Sequence, residues 1–89
     1  MRDQQLSLSE QVMMRDVDGQ VVLLDLRSGC YFTLDGSAVD ILPVLLESAS
    51  VGAALARLVA IIDVDEATLE ADLVALIGEL QTKGLVKLA

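Results

Sequence analysis

Histidine is absent from this 89-residue chain, and cysteine occurs once, as Cys30. Without histidine, the chain lacks the commonest metal ligand and the commonest general base. A single cysteine forms no disulfide within the chain and no paired-cysteine zinc site. Nucleophilic catalysis by Cys30 would have no histidine base, so we interpret it as a small packing residue in a strand. We therefore expect no catalytic residue, no metal ion, no cofactor and no enzyme activity.

Basic residues are scarce, because 6 lysines and arginines stand against 14 acidic residues, for a net charge of −8. The resulting field repels phosphate backbones, which argues against nucleic acid as a partner and favours a neutral or basic peptide. Asp63 and Asp65 look like a paired-carboxylate metal site, but the loop lacks the other ligands of a calcium loop. We interpret these two residues as a turn and a helix cap.

Long apolar runs are also missing. No run reaches the roughly 18 residues that a membrane span needs, and the polar N-terminus MRDQQLSLSE is unlike a signal peptide. We expect a cytoplasmic protein with no membrane contact. Hydrophobic residues nevertheless make up 54% of the chain, which excludes the disordered class and fits one small domain. Tyr31 and Phe32 are the only aromatic residues, so we expect a core of Leu, Val, Ile and Ala.

Apolar residues between tight-turn signals predict three strands in the first part of the chain. Asp18-Gly19 is a strong hairpin signal, because glycine tolerates the positive φ that a two-residue turn requires. We expect residues 1–11 to be a flexible or weakly ordered N-terminus and residues 12–89 to form a single domain. The predicted strands are Val12–Val17, Gln20–Leu26 and Cys30–Leu34, joined by turns at Asp18-Gly19 and Arg27-Ser28-Gly29.

Apolar residues at helical spacing predict three helices in the remainder of the chain. Asp35, Ser50 and Asp65 are the expected N-caps, and Gly84 is the expected end of the third helix. Pro43 lies inside the first helix and is expected to kink it. The tail after Gly84 either packs back on the domain or forms a terminal strand. The apolar stripes are Ala38, Ile41, Leu42 and Leu45 in the first helix, Val51, Leu55, Leu58, Val59 and Ile62 in the second, and Leu69, Leu73, Leu76, Ile77 and Leu80 in the third.

The predicted elements follow the order βββααα with short connections. A small sheet and a set of short helices are not stable separately, so the helices are expected to cover one face of the sheet. The sequence therefore predicts a winged-helix-like α+β domain, in which a three-stranded antiparallel sheet is followed by three α-helices.

The third strand and the third helix are the expected walls of a groove. If Cys30–Leu34 is an edge strand, its outward N–H and C=O groups are unpaired, and an extended peptide can add as a fourth strand. Asp72, Ala75 and Glu79 follow one flank of the apolar stripe of the third helix, with Asp72 and Glu79 within about 20° of each other. The residues leave a second interpretation open, a solvated acidic face beside a short edge that binds nothing.

The run VVLLDLRSGCYFTLDGSAVDIL, from Val21 to Leu42, resembles the PqqD-like family, whose pattern there is "vlLd...G.yy.Ln..a..i". The C-terminal half is similar to the family's closing pattern "Dv..fl..L...Gll". The residues that fit the closing pattern are Asp72-Leu73, Leu76, Leu80 and Gly84-Leu85-Val86. The chain departs from PqqD itself, because Asp35 stands where Asn is common and Pro43 where an aromatic residue often follows the Ile-Leu pair. It also lacks a Pro-Glu before the second strand and an Asp-Gly after the first helix.

The resemblance implies a RiPP recognition element, a domain that binds the leader segment of a ribosomally synthesised precursor peptide. The chain looks most like the stand-alone leader-binding proteins of lasso-peptide biosynthesis, which implies a leader peptidase and a macrolactam-forming cyclase as partners. A PqqD-type peptide chaperone for a radical-SAM maturation enzyme is one alternative. Another alternative is a winged-helix module that binds DNA, which is disfavoured because Lys83 is the only base on the third helix. A further alternative is a homodimer formed through the edge strand.

In that family the leader adds as a strand to the third strand and lies against the third helix. Strand alternation places Phe32 and Leu34 on one face and Tyr31 and Thr33 on the other, and we expect Phe32 and Leu34 to face the helices. We expect backbone groups of the third strand to pair with the leader, and Leu76 to touch it. Leu73 and Leu80 are expected to be mostly core, and Asp72 and Glu79 to hold basic or polar leader side chains. The full expected site is Cys30, Tyr31, Phe32, Thr33, Leu34, Leu69, Asp72, Leu73, Ala75, Leu76, Glu79 and Leu80.

Overall fold

The computed structural model describes residues 1–89 and contains eight regular elements. A three-stranded antiparallel sheet with the strand order β2-β3-β4 is followed by three helices, which confirms the predicted α+β fold. Strands β1 and β5 form a second, two-stranded sheet. The elements are β1 (Leu6–Leu8), β2 (Val12–Val17), β3 (Gln20–Asp25), β4 (Tyr31–Leu34), α1 (Ala38–Glu47), α2 (Val51–Ile61), α3 (Glu66–Thr82) and β5 (Val86–Leu88).

A two-residue turn sets the register of the three-stranded sheet. Asp18 and Gly19 have φ angles of 51° and 80°, and this pair of positive values is what a type I′ hairpin turn requires. The turn places Val17 opposite Gln20, and the antiparallel pairing then continues to the start of β2. The hairpin predicted at this position is confirmed.

The two ends of the chain pair with each other. Leu6 lies opposite Leu88 in the antiparallel pair of β1 and β5, so the tail after Gly84 is a terminal strand rather than a packed coil. The preceding residues also contact α2, because the carbonyls of Arg2 and Gln4 accept the N–H groups of its first two residues at 3.0 and 2.7 Å. These N–H groups have no partner within the helix. The predicted domain boundary at residue 12 stays a prediction.

The helix caps differ in detail from their predictions. Asp35 is not the N-cap of α1, because the chain turns at Gly36 (φ 63°) and the cap is Ser37. Ser50 caps α2 as predicted, since its Oγ accepts the Ala53 N–H at 3.1 Å. Asp65 is the N-cap of α3, but its side chain makes no capping hydrogen bond. No helix combines the length and the hydropathy needed to cross a bilayer.

The hydrophobic core is aliphatic throughout, as the shortage of aromatic residues predicts. It is a single cluster of 18 buried residues from both sheets and all three helices. The side chains of β3 divide between two environments, because Val21 and Leu23 are buried against the helices while Val22 and Leu24 are half-buried on the other face. One face of the three-stranded sheet is therefore covered by helices, and the other is open.

Truncation of Leu23 to alanine should lower the free energy of unfolding by about 2–5 kcal/mol, because this side chain is fully buried in the central strand. The matched control is Leu24→Ala, one residue along the same strand on the open face, for which we expect less than half of that loss. Urea denaturation followed by circular dichroism measures both. Equal losses for the two variants would contradict the described packing of the sheet.

Candidate functional site

Strand β4 is an edge of the sheet, and only two of its residues direct backbone groups outwards. The Asp25 N–H donates to the Cys30 carbonyl at 2.9 Å, and the register continues with Leu23 opposite Phe32. Hydrogen-bonded and non-hydrogen-bonded pairs alternate along an antiparallel ladder. Phe32 and Leu34 therefore bond to β3, while the N–H and C=O groups of Tyr31 and Thr33 point away from the sheet.

The side chains around β4 follow the predicted alternation. Leu34 is buried and Phe32 is half-buried against the core, whereas Thr33 is exposed and Tyr31 is 73% exposed. The interpretation of Cys30 as a packing residue is wrong, because its side chain is exposed. Cys30 precedes β4 instead of starting it, and its N–H donates to the Ser28 Oγ at 3.2 Å in the turn.

Helix α3 presents one flank towards β4. The ammonium of Lys83 lies 5.0 Å from the centroid of the Phe32 ring, which ties the C-terminal end of α3 to the edge strand. At about 100° per residue, Asp72, Leu76, Glu79 and Lys83 lie within about 60° of one another. We call these four residues the groove stripe. The contact between Lys83 and Phe32 places the C-terminal end of this stripe beside β4, and the approach of its other three residues to β4 stays a prediction.

The other predicted residues of α3 fall on either side of the groove stripe. Leu69, Leu73 and Leu80 are buried in the core, and Leu76 is half-buried at the margin between core and groove. Ala75 is exposed and lies about 40° beyond the acidic part of the stripe. The helix thus places its predicted core residues and its predicted contact residues on adjacent faces.

The acidic residues of α3 differ in their partners. Glu70, on the flank away from the groove stripe, accepts hydrogen bonds from Arg2 at 2.8 Å (Nε) and 2.7 Å (Nη2), and these bonds lower the pKa of Glu70. Asp72 and Glu79 form no ion pair with any basic side chain within the chain. The carboxylates on the groove stripe are therefore available to a bound partner.

A cavity of about 410 Å³ lies between the turn that leads into β4 and the end of α3. Four of its residues do not belong to the site predicted from the sequence, namely Asp25, Ser28, Lys83 and Leu85. For Lys83 a signal existed, since it lies four residues after Glu79 and so on the same flank. For the other three no local signal existed, because their proximity depends on how the turn meets the end of α3. The lining residues are Asp25, Ser28, Cys30, Tyr31, Phe32, Lys83 and Leu85.

Asp25 organises the turn beside this cavity. Its carboxylate accepts the Arg27 N–H at 3.0 Å and the Arg27 Nε at 3.5 Å. The backbone hydrogen bond is the main reason that the pKa of Asp25 is lowered, and burial opposes it. The carboxylate therefore stays charged and holds the turn. No group of three or more His, Cys, Asp or Glu residues lies close enough together to bind a metal ion.

Comparison with known proteins identifies similar sequences and structures. The family model described as "Coenzyme PQQ synthesis protein D (PqqD)" matches residues 20–86. The structure of "TbiB1 in Complex with the TbiA(beta) Leader Peptide" superposes with a TM-score of 0.82 at 32% identity, over 91% of this chain and 94% of that chain. The structure of "Lasso peptide synthetase B1 complexed with the leader peptide" gives a TM-score of 0.83 at 29% identity, over 93% and 98%. No curated protein sequence matches the chain.

Replacement of Asp25 by asparagine should lower stability at neutral pH and flatten its dependence on acid. Because folding lowers the pKa of Asp25, its contribution is present above the ordinary carboxyl pKa and is lost as the pH falls through the folded pKa. Urea midpoints of wild type and Asp25→Asn should converge at low pH. The control, Asp35→Asn, removes an exposed carboxylate that accepts no hydrogen bond, and it should change the urea midpoint at neutral pH less than Asp25→Asn does. A constant gap between wild type and Asp25→Asn at all pH values would contradict this role.

Proposed function

The chain belongs to the PqqD family, and on that premise we propose that it is a RiPP recognition element of lasso-peptide biosynthesis, which binds the leader segment of a ribosomally synthesised precursor peptide. The observation that supports the proposal is the open edge of β4, which has the Lys83 end of α3 beside it. Two structures similar over more than nine-tenths of this chain are complexes with a leader peptide. Their identities of 32% and 29% support transfer of the binding function as well as the fold.

The leader adds to β4 as a fourth strand. Four outward groups are available for pairing, the N–H and C=O of Tyr31 and of Thr33. Cys30, Phe32 and Leu34 border the leader but use backbone groups within the chain. Each added hydrogen bond contributes about 0.5–1.5 kcal/mol, while ordering each leader residue costs about 1–2 kcal/mol. Main-chain pairing alone therefore does not hold the leader, and apolar contacts must supply the remainder.

The apolar contacts come from the two walls of the groove. Phe32 on β4 and Leu76 on α3 are both half-buried, so each has surface left for a partner. Leu69, Leu73 and Leu80 are buried beneath them and support the floor of the groove. Such half-exposed apolar side chains between elements are typical anchors for extended peptides.

The polar contacts refine the choice of peptide. Asp72 and Glu79 hold basic or polar leader side chains, and the exposed Ala75 leaves room beside them. Exposed ion pairs of this kind contribute only about 0–1 kcal/mol each. Charge therefore selects among leaders, while apolar burial sets most of the affinity.

The protein has a non-catalytic role in this proposal. It captures a flexible leader and raises the effective concentration of the precursor at the enzymes that process it. These enzymes are a leader peptidase and a macrolactam-forming cyclase. The step is expected in the cytoplasm, where the ribosome releases the precursor.

A second candidate is a PqqD-type peptide chaperone for a radical-SAM maturation enzyme, which the match to the PqqD family model favours. Both candidates use the same groove and differ in the leader they prefer. The edge of β4 is also open to a second copy of this chain, which would form a homodimer in competition with the leader. Sedimentation with and without leader distinguishes the two uses of the edge.

Calorimetric titration with the leader peptides of the two similar complexes, and with scrambled versions, tests the proposal. Wild type should bind an intact leader at 1:1 stoichiometry. Thr33→Pro should weaken binding at least about tenfold, because proline removes an outward N–H and its ring blocks the edge. Asp16→Pro is the matched control, since Asp16 is an exposed residue of β2 at the opposite edge of the sheet. Equal losses for the two proline variants would contradict strand addition to β4.

Substitutions on α3 test whether apolar contact dominates. Leu76→Asp should weaken leader binding about 10- to 100-fold, since it places a charge in the apolar wall. Asp72→Ala should weaken it by about fivefold or less, as expected for an exposed ion pair. Val74→Asp is the control, because Val74 is an exposed apolar residue on the far flank of α3. The reverse order, with Asp72→Ala abolishing binding and a folded Leu76→Asp silent, would exclude this arrangement of the groove.

A further inference from the structure

We propose that Lys83 determines leader specificity by selecting an acidic leader side chain at the end of the groove where β4 begins. This inference rests on the proposed leader binding and adds to it the charge and the direction of the bound peptide.

Lys83 is the only basic residue that lines the cavity at the start of β4, and the Arg27 guanidinium lies beside Gly84, outside that lining. Arg2, Arg27 and Arg57 are held in ion pairs with Glu70, Asp25 and Glu47, respectively. Arg15 lies on β2 at the opposite edge of the sheet, and Lys87 borders a separate polar cavity of about 350 Å³. A carboxylate brought into the groove therefore has one cation to meet.

The position of the Lys83 ammonium leaves it open to a partner from outside the chain. Glu79 precedes Lys83 by four residues, the spacing and order that favour an ion pair on a helix. No such pair forms, and the ammonium instead lies 5.0 Å from the Phe32 ring centroid. A leader carboxylate that pairs with Lys83 draws the ammonium away from the ring and exposes the face of Phe32 to an apolar leader side chain.

The cavity beside Lys83 already contains one carboxylate, that of Asp25. Its charge is held by Arg27, which donates its N–H at 3.0 Å and its Nε at 3.5 Å. Asp25 pairs with Arg27 and forms no ion pair with Lys83. The ammonium of Lys83 therefore has no carboxylate partner within the cavity. An incoming carboxylate meets a free cation next to a carboxylate that already has its partner.

The order of charges along the groove stripe gives the peptide a direction. The stripe has Asp72 at one end, Glu79 near the middle and Lys83 at the other end. The eleven helical steps from Asp72 to Lys83 span about 16 Å, or about five residues of extended chain. A leader matches this order if its acidic residue lies beside Lys83 and its basic residues lie beside Glu79 and Asp72. If the same leader bound in the opposite direction, its acidic residue would lie near Asp72 and a basic residue near Lys83, and like charges would repel.

A charge scan of the two leader peptides from the similar complexes tests the inference. Glu and Lys are placed in turn at each leader position, and affinity is measured for wild type and Lys83→Glu. At one position wild type should prefer Glu over Lys by about tenfold, and Lys83→Glu should reverse the preference. Lys83→Gln should lose the preference without reversing it, which keeps the test decisive if Lys83→Glu does not fold.

Lys87→Glu is the matched control, because it makes the same charge change on an exposed residue of β5 outside the groove. It should keep the wild-type preference. If the leaders bind but no position changes preference with Lys83, or if Lys87→Glu changes it equally, this inference is overturned while leader binding stands. If wild type binds neither leader, the proposed function fails and the inference fails with it.

Discussion

The direction of the backbone groups of β3 is the constraint on which the rest of the structure depends. The two-residue turn at Asp18 and Gly19 decides which residues of β3 bond to β2, and the remaining residues must then bond to β4. That choice leaves Tyr31 and Thr33 directed at the open edge. It also turns Leu23 and Phe32 towards the helices, so the hydrogen bonds and the buried side chains agree on one register. A slip by one residue would reverse both assignments at once.

The sequence predicts the features that depend on local chemistry and misses those that depend on distant contacts. Gly19, Ser50 and Gly84 mark a turn, a cap and a helix end through their own conformational preferences, and all three predictions are confirmed. The cap of α1 is Ser37 instead of the predicted Asp35, because the chain turns at Gly36, which lies between the two residues. Strand β1 has three residues, too few for a periodic pattern, and it forms only because β5 returns to it from the other end of the chain.

The same distinction applies to the site. The stripe of α3 and the alternation of β4 can be read from residue spacing, and the burial of Leu73, Leu80 and Leu34 agrees with them. The exposure of Cys30 and the contact of Lys83 with Phe32 cannot be read in this way, because they depend on where the turn after β3 meets the end of α3. The two walls of the proposed groove have different roles. In the proposed binding mode, the edge of β4 accepts any extended backbone, and the side chains of α3 discriminate among sequences.

The seam between β1 and β5 also has a kinetic consequence. Leu6 pairs with Leu88, and Gln5 exchanges backbone hydrogen bonds with Ala89, so the seam closes nearly the whole chain into one loop. Because contacts between nearer neighbours lose less loop-closure entropy, we expect the sheet and the helices to form before the seam. Opening it releases the carbonyls of Arg2 and Gln4 from the start of α2, yet it leaves the edge of β4 in place. The outward groups of Tyr31 and Thr33 therefore do not depend on the seam, whereas Leu85, which lines the cavity beside Lys83 and precedes β5, does.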